Sequence, residues 1–293
     1  MCMPEQHVYL NGEIVPADEA RISVADAAFL HGASVFTTML AHNGTVFRLE
    51  RHLLRLMDTV RLFDLQVSAT PQSLRAGTVE LLTANGLSEA RVRITLSPGP
   101  VGRDEPTTVI TAAPLGEQPG WWYDKGITVI VSTFRQIPGS VTTGVKTGCY
   151  FPRVLARREA AAKGAQEALW FTSDNHLAEA CFCNVFLVSA GVVRTPPPET
   201  PVLGGVVQQA VFEICRNAGM AYDARTPLTV NDMLAAEEIF LTASCAGIRP
   251  VVRVEAHDVG DGTPGPITRK IMAAYRDLLD AECPPKPEQG ATP

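Results

Sequence analysis

Asn11-Gly12, set between Val8-Tyr9-Leu10 and Glu13-Ile14-Val15, constrains the fold more than any other short feature of this chain. A two-residue hairpin turn needs positive φ at its central residues, which Asn and Gly tolerate, so the flanking β-rich runs predict a hairpin. A second hairpin is predicted where residues 34–41 and 45–47 flank His42-Asn43-Gly44. Leu49, Leu53, Leu56, Val60 and Phe63 then recur at helical spacing and predict a helix over 49–65. Thr70-Pro71 is a helix start, cap then proline in the first turn, and Asn85-Gly86 a stop. Runs 91–96 and 107–113 predict strands.

Residues 114–126 carry Pro, Gly, Trp121 and Trp122 with little periodicity and are expected to be an interdomain linker. Beyond it the sequence predicts a strand over 127–134 and a helix over 151–163, ended by Gly164. Short strands are predicted at 167–171, 177–181, 184–188, 192–194, 238–243 and 250–254. Helices are predicted over 206–217, entered through Leu203-Gly204-Gly205, and over 266–280. The expected organisation is a small N-terminal domain over 1–113, a large domain over 127–283 and a disordered tail over 284–293. Hairpins mixed with helices argue an α+β class with mostly antiparallel sheets. No Gly-rich dinucleotide loop follows a strand.

The net charge of −6 and the lack of any Lys/Arg run argue against a nucleic-acid partner. Seven cysteines at irregular spacings fit reduced thiols in a cytoplasmic protein. Cys149, Cys181 and Cys183 lack convincing metal-ligand spacing, so no metal is expected. No stretch approaches the roughly 18 apolar residues of a membrane span, and no secretory signal or membrane association is expected.

Lysine is scarce: Lys125, Lys146, Lys163, Lys270 and Lys286 complete the set. Lys146, in Gly144-Val145-Lys146-Thr147-Gly148, follows a strand and an irregular polar loop. It reads as a solvated loop lysine or as an amine nucleophile. Glu179 lies in a small, apolar, strand-like run, where an unpaired charge is costly. It is salt-bridged, at an edge, or a ligand for a cationic ring nitrogen. Gly204-Gly205 opens a helix, and converging amides there attract an anion, though Gly pairs are also ordinary turns. Ser244 belongs to a small, polar loop after a strand. An amine, an acid, an anion cradle and a hydroxyl loop are the parts that pyridoxal phosphate requires.

These residues together resemble the class IV, fold-type IV pyridoxal-phosphate enzymes, which include branched-chain and D-amino acid aminotransferases, R-selective amine transaminases and aminodeoxychorismate lyases. The resemblance runs from Asn11-Gly12 to the final helix. It implies a small N-terminal α/β sandwich and a larger pseudo-barrel domain. By it, Lys146 falls at the Schiff-base position and Glu179 at the pyridine-nitrogen acid. Arg55, in Phe47-Arg48-Leu49-Glu50-Arg51-His52-Leu53-Leu54-Arg55-Leu56, matches a phosphate ligand. So do Ser244 and the amides of Gly205 and Val206. The implied reaction passes an amino group from a small amino acid or amine to a 2-oxo acid, in a cytoplasmic homodimer.

The sequence also departs from the family pattern. His31 stands where Tyr or Phe is usual, Thr37 where aminotransferases have Glu, and Val207 where a phosphate-contacting Thr is common. Phe36-Thr37-Thr38 is similar to aminodeoxychorismate lyases, which release pyruvate instead of exchanging nitrogen. That activity and a cofactor-binding homologue without turnover are the alternatives. Arg91 and Arg93 alternate on one strand and share a face, either as a carboxylate clamp beside the substrate, with His31 and Thr37, or as a charged solvent face. Arg103, in a Gly/Pro-rich loop, is a weaker candidate of the same kind.

Overall fold

The computed structural model describes residues 6–285. The chain forms two compact units. The first takes the described residues within Met1–Gly116, Lys146–Gly148 and Leu278–Pro293, and the second those within Glu117–Val145 and Cys149–Asp277. The tail expectation over 284–293 falls, from position 286 onward, outside the described residues.

In the first unit β1 (His7–Leu10) and β2 (Glu13–Pro16) form the predicted hairpin, with Asn11 at φ 51° and Gly12 at φ 106°. A five-residue helix α1 (Ala27–His31) follows, capped by the Asp26 side chain. The chain continues through β3 (Val35–His42), β4 (Thr45–Val46), α2 (Leu49–Leu62), α3 (Pro71–Ala84), β5 (Ala90–Ser97) and β6 (Thr107–Pro114). The sheet runs β2-β1-β6-β5-β3-β4, with every neighbouring pair antiparallel. Helix α3 begins where Thr70 and Ser73 exchange side-chain-to-backbone hydrogen bonds of 3.1 and 3.0 Å. Alternation on β5 buries Val92, Ile94 and Leu96 against Leu53, Leu56, Leu74 and Leu81 of the two helices. The opposite face of β5 carries Arg91, Arg93 and Thr95.

The second unit opens with α4 (Trp121–Asp124), a short turn of helix inside the stretch read as a linker. There follow β7 (Ile127–Gln136), α5 (Phe151–Ala162), β8 (Glu167–Thr172), β9 (Leu177–Ala180), β10 (Asn184–Ser189) and β11 (Val192–Arg194). Then come α6 (Val206–Asn217), β12 (Tyr222–Asp223), α7 (Val230–Leu234), β13 (Glu238–Ala243), β14 (Gly247–Val254), β15 (His257–Asp258) and α8 (Pro266–Glu282), whose residues from Leu278 onward fall in the first unit. The sheet order is β12-β11-β10-β13-β14-β7-β8-β9, with β15 paired to β14. Strand β7 pairs in parallel with both β8 and β14, the first of these through the α5 crossover.

Every residue of β8 and β9 is buried, because both faces of this part of the sheet are covered. Ala156 and Ala160 of α5 pack on Ala168, Trp170 and Cys181, and a second cluster takes Leu169, Phe171, Leu177 and Leu241. The class is α+β, as the element pattern predicted, and most pairings are antiparallel. Helices α1, α4 and α7 and strands β12 and β15 span two to five residues each, too few for a period to register in sequence. No helix among the described residues is long and apolar enough to cross a membrane.

Candidate active site

In the first unit, Lys146 lies beside β3. Its carbonyl accepts the Phe36 N–H at 2.9 Å, and its Nζ sits 5.1 Å from the centroid of the Phe36 ring. The same ring carries the Arg93 guanidinium at 3.6 Å, while Arg93 Nε donates to Thr95 Oγ1 at 3.1 Å. Phe36 thus brings Lys146 and Arg93 to one place, a pairing that sequence separation hides. Arg91 shares the strand face but is exposed. The segment is held against the chain after α1 by close backbone contact. A Cβ on Gly148 would stand 2.6 Å from Gly32 O and from Ser34 Oγ, so only glycine fits.

One residue further along β3, Thr37 is fully buried and joined to α2. Its hydroxyl lies 2.9 Å from His52 Nδ1, and Arg55 Nη2 reaches both, at 3.3 Å to Thr37 Oγ1 and 3.4 Å to His52 Nδ1. A guanidinium can only donate, so Nδ1 must carry the lone pair and the imidazole proton sits on Nε2. Thr37 then accepts from Arg55 and donates to His52. Burial, and after it the charges of Arg55 and Lys146, push the His52 imidazole well below its ordinary range, so it is neutral at neutral pH. Sequence reasoning missed His52 as a member of this site. Its position three residues before Arg55 on a helix places both on one face and was the available signal. His31 ends α1 and is exposed, followed by Gly32 in the left-handed region at φ 67°.

In the second unit, Glu179 lies on β9 with its side chain 7% exposed. Arg153 Nη2, from α5, donates to its Oε1 at 2.5 Å, and the Leu203 N–H donates to Oε2 at 3.2 Å. Burial works against the Arg153 charge, but Glu179 and then Tyr150 beside it raise the guanidinium above its ordinary range. Arg153 is the other residue sequence reasoning missed. It stands 26 residues from Glu179 in the chain, and only the packing of α5 on the sheet joins them.

Helix α6 starts at Gly205, where a Cβ would lie 2.0 Å from Asn184 Oδ1. Asn184 in turn donates to Leu203 O at 2.7 Å, which fixes the turn before the helix. The Gly205 N–H is taken by Gln208 Oε1 at 3.2 Å, so the first amides outside the helix's own ladder are those of Val206 and Val207. A helix N-terminus of this kind attracts phosphate. Ser244 is half-buried in the turn joining β13 to β14. Near it in sequence, the buried Thr242 hydroxyl has no hydrogen-bond partner. Arg103 is exposed and faces Glu105 at 3.8 Å.

These residue types fit pyridoxal phosphate: a partly buried amine, a buried carboxylate with acceptor capacity left over, and a helix start cleared by glycine. Comparison with known proteins agrees. The pattern of the family described as amino-transferase class IV matches residues 34–254. A putative branched-chain-amino-acid aminotransferase of Methanocaldococcus jannaschii is 30% identical, over 92% of this chain and 96% of its own. The solved Escherichia coli branched-chain amino acid aminotransferase superposes with a TM-score of 0.90 at 27% identity, covering 98% of both chains. A further branched-chain amino acid aminotransferase (T.th.), solved with pyridoxamine 5'-phosphate, gives 0.89 at 26% identity, covering 97% of this chain and 96% of its own.

The chain belongs to the class IV aminotransferases, with the two-part fold of the fold-type IV enzymes that its sequence resembles. Its chemistry is pyridoxal-phosphate-dependent transamination between an amino compound and a 2-oxo acid.

Proposed function

We propose that this enzyme transfers the amino group of a branched-chain amino acid to a 2-oxo acid, with Lys146 as the cofactor-bearing and proton-moving amine. The buried Glu179 carboxylate, held by two donors and still able to accept a third, carries the reading. The branched-chain donor is supported by the names of the relatives above.

When bound, pyridoxal phosphate supplies an aldehyde carbon that takes up the amine and a ring that accepts electrons from it. Lys146 Nζ would hold the group and, when free, would accept the proton from the substrate α-carbon as a general base and deliver it as a general acid to the cofactor carbon that keeps the amino group. Glu179 holds the ring-nitrogen proton through the lone pairs that Arg153 and Leu203 leave open. The Arg55 guanidinium, the Ser244 hydroxyl and the amides of Val206 and Val207 would hold the phosphate, with Gly205 leaving the space. Thr37 and the neutral His52 orient Arg55 without opposing its charge, which is positioning rather than chemistry.

Arg93 receives the substrate carboxylate, since it shares the Phe36 ring with the reacting amine. Arg91, on the same strand face, adds longer-range attraction, and His31 borders the side-chain end of the substrate, whereas Thr37, fully buried against His52 and Arg55, serves the phosphate end instead. The active form is a homodimer, supported by the exposed apolar residues Ile22, Val24, Phe29 and Leu30 around α1. Buried reduced thiols at Cys181, Cys183 and Cys215 support a reducing compartment, the cytoplasm.

Borohydride reduction of the holoenzyme followed by peptide mass mapping tests the assignment. The phosphopyridoxyl mass is expected on the peptide carrying Lys146. Its appearance on Lys125, Lys163 or Lys270 would overturn it. Lys146→Ala should lose turnover and the visible absorption together. A panel of L-branched-chain amino acids, D-amino acids, R-amines and aminodeoxychorismate then reads specificity. Conversion of the cofactor to its amine form by the first class supports the proposed donor. Pyruvate release from aminodeoxychorismate, without such conversion, would replace it with the lyase.

A further inference from the structure

Arg153 is bound more completely than a charge partner for Glu179 requires. Its Nη1 donates to the carbonyls of Ala180 and Cys181, both at 3.0 Å, and its Nη2 to Glu179 Oε1 at 2.5 Å. The guanidinium lies 5.4 Å from the ring centroids of both Tyr150 and Trp170. Those rings are backed in turn by Phe182 at 5.9 Å and Phe134 at 5.8 Å. The side chain is 15% exposed. A neutral amide could have satisfied the two carbonyls, as could water. What an arginine adds is a fixed positive charge aimed at one oxygen of Glu179, in an aromatic setting that screens it little.

We infer that Arg153 is a positioning residue that orients Glu179 and offsets part of its charge, so setting how firmly the carboxylate holds a pyridine-nitrogen proton. The inference rests on the reading of Glu179 as the ring-nitrogen acid. With Oε1 committed to Arg153 and Oε2 to the Leu203 amide, the carboxyl plane is fixed from two sides. Its remaining lone pairs have one direction to serve. The adjacent cation also lowers the proton affinity of any ring nitrogen that Glu179 supports. The enzyme thereby gains a ring nitrogen that is held in place without being over-stabilised in its protonated form. The titratable groups that face Arg153 are Glu179, Tyr150 and Cys181.

The test is the visible absorbance of reconstituted holoenzyme followed against pH, with cofactor stoichiometry and far-ultraviolet circular dichroism recorded for each variant. Arg153→Met removes the charge and keeps the apolar stem, and should raise the absorbance midpoint by on the order of one pH unit. Arg153→Gln should raise it similarly while still serving the two carbonyls, so it decides the matter if the Met variant does not fold. Arg153→Lys restores the charge without the fork. It should return the midpoint to the wild-type value, with kcat only partly recovered. Glu179→Gln should move the midpoint the other way. Variants of Arg153 that fold, load cofactor and titrate like the wild type would overturn the inference while leaving Glu179 in its role. A Glu179→Gln midpoint identical to wild type would instead sink the reading of Glu179 itself.

Discussion

Two buried glutamates on neighbouring strands of the second unit are built by the same device and finished differently. Glu167 on β8 and Glu179 on β9 each receive an arginine from α5, Arg157 and Arg153, four residues apart on one helix face. Glu167 is sealed. Its Oε1 accepts the Ala168 N–H at 3.2 Å, and its Oε2 takes Arg157 at 3.2 Å and the Cys183 thiol at 3.8 Å. Arg249 completes the group from 3.9 Å, itself bonded to Cys183 Sγ at 3.0 Å and lying over Trp122. Glu179 has one arginine and one amide. A carboxylate wholly out of solvent, held by an amide, a thiol and two arginines, is a structural tie. A buried one with only two donors keeps acceptor capacity where a ligand can be held.

Conservative amides separate the two roles most sharply. Glu179→Gln is expected to lower turnover by about a hundredfold or more, the range of a lost proton-holding group, while the protein still folds and binds cofactor. Glu167→Gln leaves the buried Arg249 facing no anion, and should cost about 3–5 kcal/mol of stability. Turnover per folded molecule should then stay within a few-fold of wild type. Urea unfolding beside steady-state rates measures both. Equal losses of activity in the two variants would erase the distinction.

The two cations around Glu167 make a finer comparison, because distance and burial rank them oppositely. Arg157 is nearer, at 3.2 Å, but its side chain is 38% exposed; Arg249 is 3.9 Å away and 5% exposed. Water screens the first pair, so burial should win. Arg249→Met is expected to cost about 2–3 kcal/mol, since it also strips Cys183 and Trp122 of their partner. Arg157→Met should cost about 1 kcal/mol or less. The reverse order in urea midpoints would mean that proximity outweighs burial here.

What could be read in sequence follows the same line between local and distant causes. The hairpin at Asn11-Gly12, the Thr70 cap and the α6 start at Gly205 are set by neighbours within a few residues, and each lies where it was predicted. Lys146 and Glu179 could be singled out as candidates because lysine is scarce and a carboxylate in an apolar run is costly. Arg153 and Arg249 were not, because their partners come from strands whose pairing no local pattern encodes. The Gly205 amide, expected to face phosphate, is occupied by Gln208 three residues on, a capping contact that the glycine pair conceals. Strands β8 and β9 lie where the runs 167–171 and 177–181 predicted them, although their continuous burial leaves no period-2 alternation.

His52 extends the comparison to a buried group with the opposite arrangement, a base whose charged neighbours are both cations. Burial, then Arg55 and Lys146, hold its folded pKa well below the ordinary value. In the unfolded chain it titrates near 6.5, about the free imidazole value. Below that pH the unfolded state binds a proton that the native state refuses, so native stability must fall as pH drops. His42 has the other sign. Its imidazole lies 3.0 Å from Glu89 and 2.8 Å from Asp280. Burial opposes its protonation, but those two carboxylates raise its pKa, and its contribution is fully present below the unfolded value and lost as pH rises through the folded one. Unfolding wild type and His52→Gln at pH 7 and at pH 5.5 isolates the first effect. Wild type should lose about 1 kcal/mol more than the variant on acidification. Parallel profiles would mean that the Thr37–His52–Arg55 cluster accepts the proton.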